Sequence, residues 1–139
     1  MNYKQKLPRW FLLKRLHIQS NLPFFSGGDE LLYIVQSLKT DDLFIEHVSL
    51  DGGKVIKRYR FKELEEITPS AISVHSNGKI WAVGDTDGRV MFLDPESEKM
   101  IFQKSVSSFG IVDIVFSGDG KQLFVIDETG KITSWVIEK

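Results

Sequence analysis

The sequence predicts an all-β fold built from repeated antiparallel sheets, and two observations support this prediction. One pattern is written twice at an offset of about forty-two residues, as AISVHSNGKIWAVGDTDGRVMFL from residue 71 and as DIVFSGDGKQLFVIDETGKITSW from residue 113. Inside both copies, dipeptides typical of tight hairpin turns separate short apolar runs. These dipeptides are Asn77-Gly78, Asp87-Gly88, Asp119-Gly120 and Thr129-Gly130. Each copy is therefore predicted to form three strands.

A fourth strand is predicted after the first copy. Segment 94–98 (DPESE) has the composition of a turn, and Lys99–Lys104 extends the chain again. Because the sequence stops at Lys139, the sheet formed by the second copy is expected to lack its fourth strand. Four short strands joined by glycine turns have the size and order of one propeller blade.

These residues resemble a blade of a WD-repeat or related β-propeller. Ser117–Lys121 is similar to the turn between the first and second strands of that family, and Asp85–Val90 is similar to its next turn and third strand. Trp135 stands at the position of the signature tryptophan. Leu93 replaces that tryptophan in the first copy, and Val136 replaces the aspartate that follows it in the second. The resemblance implies a propeller-like binding protein that lacks the hydrogen-bonded tetrad of a regular WD repeat.

Residues 22–66 are predicted to be a degenerate third copy. The run FFSGGDELLYI from Phe24 aligns with VFSGDGKQLFV from Val115 when a shift of about one residue is allowed. A longer loop over Gln36–Asp42 replaces the tight turn, and Leu43–Leu50 follows as the third strand. The prediction is a single propeller-like domain over 1–139, divided into an N-terminal basic arm or strand (1–21), this degenerate blade (22–66), a blade (67–104) and an incomplete blade (109–139).

The fourth strand of the degenerate blade is expected to run from Val55 to about Arg60, followed by a linker that ends at Pro69. A competing interpretation makes Tyr59–Ile67 a short helix. Three apolar residues of that segment share one helical face, and its glutamates favour helix.

About three blades fall short of the four or more that closed propeller rings usually have. An open arc exposes apolar sheet faces and unpaired strand edges, which other protein surfaces then tend to cover. The N-terminal segment is a candidate for the missing strand of the last blade, and the arc would then close by pairing with a second copy of the chain or with another chain. Alternatively, the three sheets fold on each other as a compact barrel or sandwich. Self-association, as a homodimer or a higher oligomer, is the first expectation.

Composition is that of an ordinary soluble globular protein, with 42% hydrophobic residues, 27% charged residues and a formal net charge of −1. A charge so close to zero gives no overall attraction to nucleic acid or to a membrane. No apolar run is long enough for a spanning helix, so no membrane partner is expected. The lack of cysteine excludes disulfides and thiol catalysis and is typical of a cytoplasmic protein, which is the expected location.

The sequence predicts no catalytic site, no metal site and no cofactor. His17, His47 and His75 lie far apart in the chain, so a zinc site would need three unrelated strands to converge. Ser73, His75 and Asp85 are residue types of a nucleophilic triad, but the first two alternate along one strand without the sharp turn that exposes a nucleophile. The acidic run that begins at Asp85 lacks the later glutamate of a calcium loop. The protein is therefore expected not to be an enzyme.

Two basic stretches are the candidate partner-binding surfaces. Lys54–Lys62 interleaves five basic residues with aromatic ones and contains no acid, and residues 1–18 also hold five basic residues and no acid. The candidate partner-binding residues are Lys57, Arg58, Tyr59, Arg60 and Lys62 in the first stretch and Arg9 and Trp10 in the second. In the alternative interpretation both stretches are blade strands, whose charges prevent pairing with other chains. Reversing Arg58 and Arg60 to Glu is expected to weaken partner binding without unfolding the protein.

Three functional hypotheses follow from the sequence. The first is a non-catalytic protein–protein interaction or assembly module that uses a partial propeller. The second is a small cytosolic inhibitor or immunity-type protein that binds and blocks one toxin or enzyme. The third is a nucleic-acid-binding accessory protein, and the near-neutral net charge makes it the weakest.

Overall fold

The computed structural model describes residues 24–27, 29–36 and 42–137. The elements of this part of the chain are β1 (Phe24–Gly27), β2 (Glu30–Gln36), β3 (Leu43–Ser49), β4 (Lys54–Tyr59), a 3₁₀ helix (Lys62–Glu66), β5 (Pro69–Val74), β6 (Trp81–Asp85), β7 (Arg89–Asp94), β8 (Lys99–Ser105), β9 (Ile111–Phe116), β10 (Gln122–Asp127) and β11 (Ile132–Val136). The predicted all-β class is confirmed.

The strands form three antiparallel sheets in which neighbours in sequence are neighbours in space. The first sheet has the order β1-β2-β3-β4, the middle sheet β5-β6-β7-β8 and the third sheet β9-β10-β11. Strand β5 contacts β1 on one side and β9 on the other, so the first strands of the three sheets lie side by side. The sheets therefore stack along an arc, as blades of a partial propeller do.

The hairpin turns form where the glycine dipeptides predict them. Gly78 and Gly120, at equivalent positions of the two repeat copies, have φ values of 74° and 73°. A side chain beyond glycine rarely adopts this left-handed conformation, which explains why glycine stands at both places.

The segment after β4 contains features of both sequence interpretations. The strand ends at Tyr59, close to the expected end, and the rival helix is present as the short 3₁₀ helix Lys62–Glu66. Phe61 and Leu64 are fully buried in the core between the first and middle sheets. The segment thus closes one end of that core before the chain enters β5.

The first and middle sheets bury large side chains against each other. Leu32, Ile34 and Ile45 of the first sheet lie in one cluster with Trp81 and Met91 of the middle sheet. Since Leu32 pairs with Phe25, the face that includes Phe25 points toward the middle sheet. The structural counterpart of Val115 is therefore Phe25 rather than Phe24. This difference is the shift of about one residue that the sequence alignment allows.

The middle sheet contributes small residues to its contact with the third sheet. Ala71 and Ala82 pack in a cluster with Ile111, Leu123 and other apolar residues of the third sheet. At Gly84 the two sheets leave no room for a side chain. A Cβ atom added there would lie 2.6 Å from Cγ2 of Ile111, well inside the contact distance of two carbon atoms.

We expect Gly84→Ala to destabilise the protein by about 1–3 kcal/mol, because the added methyl group must displace Ile111 or separate the two sheets. Urea unfolding measures this free energy. Gly118→Ala is the matched control, since no atom lies within 4 Å of a Cβ added at Gly118. An equal loss of stability in both variants would show that the close approach at Gly84 does not constrain the fold.

Candidate docking surfaces

The third sheet exposes an apolar face. Side chains along each strand alternate between two faces, and in the third sheet one face points away from the middle sheet. We call it the open face, and the strand register places on it Asp113, Val115, Gln122, Phe124, Ile126, Ile132, Ser134 and Val136. Val115 is 44% exposed, Ile132 63% and Val136 70%. Phe124 and Ile126 are partly exposed at its centre. Most exposed apolar side chains occur singly, so a contiguous group of this kind marks a contact surface.

The same face is buried in the other two sheets. In the offset that relates the repeat copies, Phe124 corresponds to Ala82 and Ile132 to Val90, and both of these face the third sheet with 0% exposure. In the first sheet the equivalent face carries Leu32 and Ile34, which are 5% and 0% exposed against the middle sheet. The open face thus has the position and the chemistry of a sheet-to-sheet contact.

The outer edge of the third sheet is also open in the part of the chain that the structure describes. Strands β3 and β7 are each covered by a fourth strand, whereas β11 pairs only with β10. Beside this edge runs a groove of about 490 Å³, lined by aromatic side chains and Lys104 among others. In this groove the rings of Phe102 and Trp135 pack edge to face, with 6.0 Å between their centres. Nζ of Lys104 lies 5.8 Å from the centre of the Trp135 ring.

The opposite end of the arc combines buried and exposed side chains. On the face of the first sheet that points away from the middle sheet, Leu31, Tyr33 and Val48 form a cluster and are 4%, 2% and 0% exposed. Glu46 on the same face is 5% exposed. Phe24 and Val55, which pair with Tyr33 and Val48 on this face, are 42% and 41% exposed, so among the described residues both ends of the arc present some apolar surface.

Arg58 forms an ion pair with Glu46. The Tyr33 hydroxyl donates to Oε2 of Glu46 at 2.7 Å, and Nε of Arg58 donates to Oε1 at 3.0 Å. The guanidinium also lies over the Phe44 ring, at 5.2 Å from its centre. Burial raises the pKa of Tyr33, and its hydrogen bond to Glu46 adds to this shift. Arg58 thus balances a buried carboxylate.

Arg60 is engaged as well, because it donates to Glu65 at 2.7 Å and to Asp42 at 3.3 Å. Lys57 lies over the Tyr59 ring, and that ring meets Trp81 edge to face at 4.7 Å.

Lys62 begins the 3₁₀ helix and is exposed. Arg9 and Trp10 lie outside the described residues. The basic stretch Lys54–Lys62 therefore carries less free positive charge than its sequence indicates.

The residues considered for chemistry have structural contacts. Nε2 of His75 lies 2.8 Å from the Gly120 carbonyl, and Nδ1 accepts from the Asn77 amide at 3.1 Å. Because a carbonyl can only accept, Nε2 carries the proton and His75 links the middle sheet to the third. Asp85 accepts from the amides of Asp87 and Arg89 within its own turn. Among the described residues, no group of three or more His, Cys, Asp or Glu side chains is arranged to hold a metal ion.

Asp127 organises the turn between β10 and β11. Its Oδ1 accepts from the amides of Thr129 at 2.8 Å and Lys131 at 3.1 Å, and Oδ2 accepts from the Ser107 hydroxyl at 2.7 Å. Hydrogen bonds from the side chains of Thr129 and Ser107 lower the pKa of Asp127 to about 2. Since Ser107 lies in the connection between β8 and β9, this carboxylate holds the third sheet to the chain that enters it.

Solved structures with a similar arrangement include a β-propeller domain, so the predicted resemblance to propeller blades is confirmed. The β-propeller domain of Cps50 (Swd1) from Myceliophteria thermophila superimposes with a TM-score of 0.61 at 18% sequence identity, over 80% of this chain and 35% of that chain. Hydrazine synthase from Kuenenia stuttgartiensis gives a TM-score of 0.54 at 20% identity, over 76% of this chain and 28% of that one. No protein-family model and no curated protein matches the sequence.

The chain spans about a third of the length of the propeller domain of Cps50, since the superposition covers 35% of that domain. In the described part of the chain, no helix has the length and apolar character needed to cross a membrane.

We expect Arg58→Ala to destabilise the protein by about 1–2 kcal/mol, because Glu46 would remain buried with only Tyr33 as its partner. Half of the Arg58 side chain is in contact with solvent, which limits the effect. Thermal or urea unfolding is the measurement, and Lys57→Ala on the same strand is the control. Equal stabilities of the two variants would contradict a structural role for Arg58.

Asp127→Asn should lower stability at neutral pH and should do so less as the solution becomes acidic. The folded protein holds the pKa of Asp127 at about 2, below the roughly 3.9 of an unfolded aspartate. The carboxylate therefore contributes its full stabilisation above about pH 4 and loses it as the pH falls toward 2.

The measured quantity is the difference in urea midpoint between the wild type and Asp127→Asn at pH 7, 4 and 2.5. Asp51→Asn, at an exposed position in the turn between β3 and β4, is the control. A difference that stays constant over this range would show that the charge of Asp127 does not stabilise the fold.

Proposed function

We propose that this protein is a non-catalytic assembly module that binds another protein chain through the open face and open edge of the third sheet. One observation carries the proposal: Phe124, Ile126 and Ile132 occupy positions whose counterparts in the other two sheets are buried between sheets. Leaving such a face in water costs about 25 cal/mol for each Å² of apolar surface, so a partner that covers it stabilises the pair.

The distribution of charge supports a protein partner rather than a nucleic acid. In the basic stretch Lys54–Lys62, Arg58 forms an ion pair with Glu46. Arg60 forms ion pairs with Glu65 and Asp42. Binding to nucleic acid depends on lysine and arginine that are available to phosphates. The open face itself carries no basic residue.

The fold is compatible with this role and does not identify the partner. Propeller folds serve many unrelated functions, so the function must be argued from the surface rather than from the fold. The inhibitor hypothesis uses the same surface with a different partner. A cytoplasmic location remains part of the proposal.

A photo-crosslinking amino acid at position 132 tests the proposal in cells that produce the protein. We expect irradiation to give a covalent adduct with a protein, because Ile132 lies on the open face and is 63% exposed. The matched control carries the same amino acid at position 101 on β8, where Ile101 is 56% exposed outside that face. The absence of a protein adduct at position 132, or equal adducts at both positions, would contradict the proposed surface.

A further inference from the structure

We infer that the open edge of the third sheet binds an extended segment of a partner protein that carries an apolar and an acidic side chain on one face. The segment pairs with β11 as a fourth strand, and that face of it enters the groove beside Trp135. This inference rests on the proposed function, because it names the chemistry of the partner at the edge proposed there.

The backbone of β11 directs hydrogen-bonding groups toward the open edge at alternate residues. Hydrogen-bonded and non-hydrogen-bonded pairs alternate along an antiparallel ladder. The Ile137 amide donates to the Lys121 carbonyl, and the register from there is regular, so the odd-numbered residues of this ladder bond to β10. The amides and carbonyls of Ile132, Ser134 and Val136 therefore point away from β10, and no other described strand pairs with them. A peptide that adds to such an edge gains main-chain hydrogen bonds.

The middle sheet shows how a fourth strand packs in this fold. Its fourth strand, β8, runs antiparallel to β7, and Met100 of β8 packs against the core shared by the first and middle sheets. In the described part of the chain, no fourth strand supplies such a side chain to the core between the middle and third sheets. The groove of about 490 Å³ lies at this place. An apolar side chain of the incoming segment fills it, as Met100 does in the neighbouring core.

The walls of the groove suit an acidic side chain as well as an apolar one. Phe92, Phe102 and Trp135 form the apolar wall, with 5.2 Å between the centres of the two phenylalanine rings. Among the described lining residues Lys104 alone is charged, and its side chain is exposed. None of the described carboxylates forms an ion pair with it. An acid on the segment gives Lys104 a charge-assisted hydrogen bond.

The positive charge of Lys104 distinguishes this partner from two other occupants of the edge. Residues 1–18 of the chain itself hold five basic residues and no acid, so they would bring like charge to the groove. Strand β11 of a second copy (ITSWV) contains no acid either. Neither occupant complements Lys104, whereas a segment with an aspartate or glutamate does.

Selection of randomised linear peptides on the purified full chain tests the chemistry of the segment. We expect the enriched peptides to carry an aspartate or glutamate together with an aromatic or aliphatic residue at the next position on the same face of a strand. Proline should be rare between these positions, because it cannot donate to the edge. Enrichment of basic peptides, or of no peptide, would overturn the inference.

The tightest selected peptide then tests the groove. Lys104→Glu should weaken its binding about tenfold or more, because the acid of the peptide loses its partner and meets a like charge. Lys99→Glu is the matched control, since Lys99 is exposed on the same strand and does not line the groove. This control should bind the peptide as the wild type does. Titration calorimetry measures both affinities, and equal losses in the two variants would contradict the role of Lys104.

Strand addition has its own test at Ser134. The Ser134 amide points away from β10, so Ser134→Pro removes a donor of the open edge without removing a bond of the β10–β11 ladder. Peptide affinity should fall about tenfold. If this variant fails to fold, N-methylation of the peptide replaces it. Methyl groups on alternate peptide amides should abolish binding, and those on the amides between them should not. Binding that tolerates a methyl group on every amide would overturn strand addition.

The photo-crosslinking experiment separates this inference from the proposed function. A protein adduct at position 132 that forms equally well in the Lys104→Glu and Ser134→Pro variants would support the assembly module and overturn the segment at the edge. Loss of the adduct in these variants would support both. Acidic peptides that bind through Lys104, without any adduct in cells, would support the chemistry of the groove and contradict the assembly module.

Discussion

Burial of sheet faces against each other is the constraint on which the rest of this structure depends. Each strand alternates its side chains between two faces, and apolar residues occupy both faces of all three sheets. The middle sheet meets this requirement in its inner strands, where Trp81 and Met91 face the first sheet while Ala82 and Val90 face the third. A stack of this kind needs cover at each end. In the described part of the chain the third sheet exposes more at its end (Val115, Ile132 and Val136) than the first sheet does (Phe24 and Val55).

The seam between the middle and third sheets is fixed by polar contacts as well as by packing. The Ser70 hydroxyl, on the first strand of the middle sheet, donates to the Ile111 carbonyl of the third sheet. At the other end of the seam, His75 binds the Gly120 carbonyl. These contacts set the relative orientation of the two sheets, so the open face is presented by a rigid support. A preorganised surface loses less conformational entropy when it binds.

Local features of the sequence predicted much of the fold. The glycine dipeptides and the repeat period identified the strands and turns from residue 69 onward, because turn geometry depends on a few neighbouring residues. The pairing of Arg58 with Glu46 was not predicted, since it joins neighbouring strands through a register that contains a bulge. The open face was expected only in general terms. Which side chains form it depends on how the sheets stack, and that arrangement is set by distant contacts such as Gly84 with Ile111.

The three outer strands differ in a way that supports docking at the third sheet. Strand β4 (KVIKRY) and strand β8 (KMIFQKS) form the outer edges of their sheets and carry several basic residues. Charged side chains on an edge strand discourage pairing with other chains. Strand β11 (ITSWV) contains no charged residue and no proline. The sequence therefore protects the two edges that have their full number of strands and leaves unprotected the one beside the open face. An edge without such protection is consistent with a surface that another chain covers.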